Sequence, residues 1–240
     1  MSWTKKDLLS IADLGLEEIR LILEEARALK QVFRRGILEG QAVGLLFYEP
    51  STRTRLSFHL AAQRLGAHVL DLEISSSSVQ KGESLLDTAK TLEAMGTKVL
   101  VVRHPENGAP QRLAPQLKVS VVNAGDGTGE HPTQALLDFF TIEEKKASLK
   151  GLPIAIVGDV LHSRVTHSLV PGFKRLGADV FLCGPRAFMT QALLKKLDVE
   201  GVWDLRSALR RAEVVYLLRI QRERHRGKGF PTPRQYAREF

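Results

Sequence analysis

Ala42-Val43-Gly44-Leu45-Leu46-Phe47-Tyr48-Glu49-Pro50-Ser51-Thr52-Arg53-Thr54-Arg55 is the stretch on which the fold turns. Residues 42–47 form an apolar run of strand length, and residues 52–65 carry apolar side chains at helical spacing. The turn between them gathers hydroxyls, the free amides of a helix start and an arginine at one point. That is an anion site, most naturally for phosphate. The plainer reading is a capped helix start with exposed arginines. Two arginines and three hydroxyls within residues 51–55 exceed what capping needs.

The same alternation runs outward in both directions. Strands are expected over 68–72, 98–102 and 118–122, and helices over 16–35, 84–95 and 109–117. Strand–helix alternation implies parallel strands with crossover helices. One long helix is then expected over 132–149, ending in Lys150-Gly151-Leu152-Pro153, a credible stop. Beyond it the pattern restarts, with strands over 154–157, 179–182 and 214–218 and helices over 165–176, 186–197 and 203–211. The expected fold is α/β: two doubly wound parallel-sheet domains, 1–134 and 150–240, joined by a long helix over 135–149. From Gln221 onward apolar periodicity is lost, and the tail reads as a mobile basic loop.

Composition narrows the function classes. The 240 residues carry 35 Lys+Arg against 27 Asp+Glu, a formal charge of +8. Seven of those cations, with only two acids, fall between Arg219 and Phe240, so most of the excess belongs to the tail. Aromatics make up 6% and no basic stripe with interleaved aromatics is present, so a nucleic-acid partner is not expected. A single cysteine rules out a disulfide framework and a cysteine zinc site. No apolar run is long enough to span a membrane and the first residues show no signal-peptide pattern, so a cytoplasmic setting is expected.

Open α/β sheets bind ligands beyond the carboxyl ends of their strands, which directs attention to the other turns. Ser75 to Lys81 is a serine-bearing loop that could offer Lys81 to an anion, or simply be a solvated loop. Arg103 stands at the carboxyl end of the strand expected over 98–102, either facing a ligand or as a surface charge. The glycine-rich turn 125–130 delivers His131 to a helix start, with Gln134 about one turn on. There a histidine tends to stay neutral and can donate to a carbonyl, unless it serves only as a cap. In the second half the turn 158–164 lacks G-x-G-x-x-G, and no P-loop motif occurs anywhere. His162 and His167 are five apart and do not share a helix face, so no metal is expected there. That turn offers Arg164. The turn after 214–218 offers Arg219 and Gln221, a pair suited to a carboxylate. Cys183 reads as a small buried side chain. Five cations at strand ends, Arg53, Lys81, Arg103, Arg164 and Arg219, with Ser51, Thr52, Thr54, His131 and Gln134 as neutral donors, make a site for small polyanions that also polarises a carbonyl. No protein nucleophile is evident, so the nucleophile belongs to a second substrate.

Ser51-Thr52-Arg53-Thr54-Arg55, Lys81-Gly82-Glu83, Arg103-His104-Pro105 and His131-Pro132-Thr133-Gln134, in this order and spacing, resemble the carbamoyltransferases. The His-Cys-Leu-Pro segment typical of the ornithine branch is missing. The stretches 158–168 and 219–224 resemble the catalytic chains of the aspartate branch instead. The resemblance implies transfer of a carbamoyl group from carbamoyl phosphate to the amine of L-aspartate, a step of pyrimidine biosynthesis, without a cofactor or a metal. It implies that Ser51, Thr52, Arg53 and Thr54 hold the phosphate, that Thr54, Arg103 and His131 bind the carbonyl oxygen, and that Gln134 binds the amide. It assigns the aspartate carboxylates to Arg164, Arg219 and Gln221. It also implies a homotrimer in which Ser77 and Lys81 enter a neighbouring subunit's site, with Lys81 touching both substrates. A regulatory chain or a dihydroorotase-like partner is left open. Family chains continue for several dozen residues through a His-Pro-Gly-Pro segment and a final helix, whereas this sequence stops at Phe240, so the aspartate-binding domain is expected to be incomplete at its C-terminal end. The rival readings are another acceptor such as ornithine, an inactive or assembly form, and a nucleic-acid binder favoured only by net charge.

Overall fold

Near-continuous burial along residues 42–47 organises the first half of the chain. In the computed structural model, which describes residues 3–32, 36–72, 82–221 and 234, this run is strand β1 (Ala42–Phe47). It is preceded by helix α1 (Leu16–Gln31). Its carboxyl end leads into α2 (Thr52–Arg64), followed by β2 (His68–Leu72), α3 (Leu85–Ala94), β3 (Thr97–His104), α4 (Ala109–Leu113) and β4 (Ser120–Asp126). All four strands are parallel, in the order β2-β1-β3-β4. Val43, Leu45 and Phe47 point to one face, where they pack with Ala62 of α2 and Val101. Leu46 points to the other and packs with Ala89 and Leu92 of α3, Leu113 of α4 and Leu100. Gly44 points to that second face as well, and a Cβ there would fall 2.6 Å from a Leu100 methyl, which explains the glycine. With helices on both faces the sheet is doubly wound.

The second half repeats the plan. Helix α5 (Pro132–Lys146) leads to β5 (Pro153–Val157), α6 (Arg164–Arg175), β6 (Asp179–Cys183), α7 (Gln191–Leu197), β7 (Glu200–Val202), α8 (Leu205–Arg211) and β8 (Val214–Leu217). The strands are again parallel, in the order β7-β6-β5-β8. Ala155, Val157, Phe181 and Cys183 face Ala208 of α8. Elsewhere in this half Phe139 of α5 meets Phe173 of α6 edge-on, ring centres 4.9 Å apart, both fully buried. The chain divides into two units, Met1–Leu136 and Leu137–Phe240, so α5 gives its first turn to one and its body to the other.

The expected α/β class with two parallel sheets is the observed one, and the departures are local. The helix expected over 109–117 breaks into α4 and a single 3-10 turn at Ala114–Gln116, since Pro115 has no amide for a continuing helix. The one expected over 186–197 begins only at Gln191, where the Thr190 hydroxyl caps it by accepting from the Leu193 amide at 3.2 Å. The three-residue strand β7 was not expected, being too short to show a period. The basic tail beyond Gln221, apart from position 234, lies outside the described residues. Among those residues no helix is long and apolar enough to cross a membrane.

Candidate active site

In each sheet the strand order reverses at one place, and the crevice at the carboxyl ends there is where such folds take ligands. In the first unit the reversal lies between β1 and β3. Phe47 is in register with Arg103, and the Tyr48 amide donates to the Arg103 carbonyl at 2.8 Å, so the turn before α2 lies beside the end of β3. His104 is in register with Asp126, which brings the end of β4 alongside. The structure therefore gathers the 51–54 turn, Arg103 and the 125–131 turn along one edge.

Ser51 is the N-cap residue of α2, but its side chain makes no capping hydrogen bond and the first turn holds no acidic residue. Thr52 and Arg53 are exposed and Ser51 and Thr54 half-buried. The helix start thus keeps its positive end uncompensated. The two arginines of this segment separate: Arg55 turns back to Asp71, with Nε 2.8 and 3.0 Å from its two oxygens, and is structural. Arg103 extends its guanidinium to the Ala124 carbonyl (3.4 Å) and to Glu49 (3.2 Å), with only 11% of the side chain exposed.

The 125–131 turn is held by its own polar core. Asp126 accepts from the Gly108 amide (2.6 Å), the Asn123 side-chain amide (3.0 Å) and the Glu130 amide (2.8 Å). Gly127 has φ 43, and a Cβ there would lie 2.1 Å from the Asn107 side-chain oxygen, so only glycine fits. The turn ends on a buried His131, whose carbonyl accepts from the amides of Gln134 and Ala135 at 3.1 and 3.2 Å. Nearby, burial pushes the His104 imidazole below its ordinary range, and its Nδ1 accepts from the Glu106 amide at 3.1 Å. Burial pushes the Tyr48 phenol upward, and its hydroxyl donates to Thr88 at 3.3 Å.

In the second unit the reversal lies between β5 and β8. The turn after β5 runs from Gly158 and a fully buried Asp159 to Arg164, which opens α6 and is itself buried. Asp159 accepts from the His162 amide (3.3 Å) and from the Gln221 amide (3.1 Å), and pairs with His162 Nδ1 (2.8 Å). It therefore joins the Arg164 turn to the segment carrying Arg219 and Gln221. Gln221 is buried, with its side-chain oxygen unpartnered among the described residues, while Arg219 is exposed. Ser77 and Lys81 lie outside the described residues. Sequence reasoning passed over Glu49, Asn123, Asp126, Glu130 and Asp159. The available signal was the Gly-Asp pair at 125–126 and again at 158–159. Among the described residues no group of His, Cys, Asp and Glu side chains is arranged to hold a metal ion.

Residues 6–144 match the family described as aspartate/ornithine carbamoyltransferase, carbamoyl-P binding domain. Over 248 aligned residues the chain is 48% identical to the aspartate carbamoyltransferase catalytic subunit of Heliobacterium modesticaldum, covering all of this chain and 78% of that protein. The chain belongs to the aspartate carbamoyltransferase family. Solved members of that family have the same fold. The catalytic subunit of M. jannaschii aspartate transcarbamoylase matches with a TM-score of 0.84 at 37% identity, over 98% of this chain and 79% of that one. The Trypanosoma cruzi aspartate transcarbamoylase in complex with N-(phosphonacetyl)-L-aspartic acid matches with a TM-score of 0.84 at 34% identity, over 91% of this chain and 76% of that one.

Proposed function

We propose that the chain transfers the carbamoyl group of carbamoyl phosphate to the amine of L-aspartate, giving N-carbamoyl-L-aspartate and phosphate. The observation that carries this is the uncapped start of α2, with Ser51, Thr52, Arg53 and Thr54, set beside Arg103 and the turn ending on His131. Its relatives in the family carry the matching name. In this reading Ser51, Thr52, Arg53 and Thr54 hold the phosphate in the first unit, and Thr54, Arg103 and His131 receive the carbonyl oxygen, with Gln134 on the amide. Arg164, Arg219 and Gln221 hold aspartate in the second. The unpartnered Gln221 side-chain oxygen is an acceptor that suits a donor on that substrate.

As the aspartate amine attacks the carbamoyl carbon, negative charge grows on the carbonyl oxygen. Each well-placed donor there contributes about 3 kcal/mol to the transition state. Holding both reactants in line supplies up to ~7–11 kcal/mol more. Arg53 meets the charge that builds on the departing phosphate. The reading extends to a cytoplasmic homotrimer in which Ser77 and Lys81 complete a neighbour's site.

The test is carbamoyl aspartate formation by the purified chain, with ornithine as the competing acceptor. Arg53→Ala should lower turnover far more than it weakens aspartate binding. Near-normal turnover in that variant, or a preference for ornithine, overturns the reading. Mixing Arg53→Ala with Lys81→Ala chains should restore part of the activity; no recovery after proven subunit exchange removes the shared site.

A further inference from the structure

The segment ahead of α1 is fastened to the turn that ends on His131. Leu8 forms a parallel bridge with Val122, donating to the Val121 carbonyl and accepting from the Asn123 amide, each at 2.9 Å. Asp7 accepts from the Val121 amide at 2.8 Å, and the Leu9 carbonyl accepts from the Asn123 side chain at 3.0 Å. These contacts already anchor residues 7–9 along β4. The next two residues do something else. The Ser10 hydroxyl donates to Glu130 Oε1 at 2.5 Å, and the Ile11 amide donates to Glu130 Oε2 at 3.0 Å. Ser10 also accepts from the Ala12 amide at 2.9 Å, which fixes its rotamer. Ser10 is 8% exposed and Ile11 not at all, while Glu130 is half-buried, so these are charge-assisted bonds partly withdrawn from water.

Glu130 directly precedes His131. Its amide is held by the Asp126 carboxylate at 2.8 Å, and its carbonyl accepts from the Asp126 amide at 3.1 Å. Its side chain is held by Ser10 and Ile11. The backbone is thus hydrogen-bonded on both sides of the link between residues 130 and 131, and the imidazole Nδ1 itself lies 3.4 Å from the Thr133 hydroxyl. We infer that Glu130, gripped by Ser10 and Ile11, is a positioning residue for His131: the N-terminal segment aims the imidazole that meets the carbonyl oxygen. This rests on the role proposed above for His131.

The test uses the full chain with Glu130→Ala, Ser10→Ala and Glu130→Gln, and His131→Asn as reference. Turnover and aspartate KM are measured alongside histidine-selective 13C spectra, in which the His131 ring signal is the one lost in His131→Asn. In Glu130→Ala turnover should fall about tenfold to a hundredfold, the range for a reacting group displaced by an ångström or less, with aspartate KM little changed. The His131 signal should move. Glu130→Gln should recover most of both, because its amide oxygen still accepts from Ile11 and its amino group can donate to Ser10. Ser10→Ala, which removes one bond of the pair, should be intermediate, and it carries the test if Glu130→Ala does not fold. The inference is overturned if the His131 signal stays in place in the folded alanine variants, or if their turnover loss matches the loss of folded protein. Normal turnover in His131→Asn would instead defeat the role proposed for His131, and the spectra alone would then decide the positioning.

Discussion

Replacing Asp159 by alanine removes the acceptor that joins the two turns at the carboxyl edge of the second sheet. The carboxylate is fully buried and holds the Gln221 amide at 3.1 Å, the His162 amide at 3.3 Å and the His162 ring nitrogen at 2.8 Å. These do not count equally. The His162 side chain is 24% exposed and can turn to water, and a 3.3 Å contact is weak. The Gln221 amide is buried and cannot be rehydrated without moving the segment, so the expected loss of stability is that of one orphaned donor, about 1–3 kcal/mol. The sheet beneath remains, because the Leu218 amide still donates to Val157 and the Gly158 amide to Cys183. The loss should therefore surface as a poorly held Gln221 and Arg164 turn. If all of it appears in substrate binding, aspartate KM rises by about fivefold to 150-fold. Asp159→Asn makes a sharper comparison. Its amide oxygen can accept from Gln221 while its amino group donates to His162 Nδ1, so both links survive with a change of imidazole tautomer, and the loss should stay under about 1 kcal/mol. Urea unfolding and initial rates over a range of aspartate concentrations measure both quantities. An alanine variant with unchanged midpoint and unchanged aspartate KM refutes the reasoning. An asparagine variant as damaged as the alanine one shows that the charge, and not the pair of links, is what the site uses.

Three further outcomes follow from the second unit. Tyr216 donates to Asp138 at 2.9 Å, and burial first, then that carboxylate, push its phenol well above the usual value. Tyr216→Phe should cost about 1.5–3 kcal/mol in urea unfolding at neutral pH. Because the folded phenol keeps its proton longer than the unfolded one, the wild-type contribution is complete below about pH 10 and declines above it, and the phenylalanine variant should lack that part of the alkaline decline. Arg211 spans Glu200 at 2.5 Å and Asp179 at 3.0 Å while its guanidinium lies 4.2 Å from the centre of the Phe181 ring. Arg211→Ala should lower stability by about 1–2 kcal/mol, and only the ion-pair share should disappear in high salt; a loss fully abolished by salt would discount the ring contact. The Cys183 thiol is buried and pushed up to about 11, so a thiol reagent should label it only as fast as the unit opens, and prompt labelling in native buffer would contradict the packing.

The strands were legible because a strand buried between two helix layers must be apolar along its whole length, and runs such as 42–47 and 154–157 leave no other reading. The arginines stood out in the sequence because a cation directly after an apolar strand run interrupts the pattern; their part in binding is the proposal made above. What escaped is equally physical. Pro115 breaks a helix that apolar spacing alone would continue. Glu49 and Glu130 look like ordinary surface acids, and only the fold reveals that they meet Arg103 and Ser10. Their partners lie 54 and 120 positions away, beyond the reach of any local pattern.

The two buried aspartates sharpen this point, because each unit solves the same problem in the same way. A site that receives anions would be weakened by a nearby carboxylate, yet Asp126 and Asp159 sit at strand ends along the ligand edges. Each follows a glycine with φ above +110, Gly125 at 114 and Gly158 at 124, a backbone state that no larger residue holds without strain. That bend turns the next side chain inward, where it meets backbone amides from separate segments: Gly108 and Glu130 in the first unit, His162 and Gln221 in the second. A carboxylate surrounded by amide donors has its hydrogen-bonding capacity largely used up within the loop. Each acid therefore organises its own loop, while Arg53 in one unit and Arg219 in the other are the exposed cations near these turns and Arg103 and Arg164 stand largely buried beside them. On this view the two acids shape the turns at which the groups proposed to meet the substrates stand.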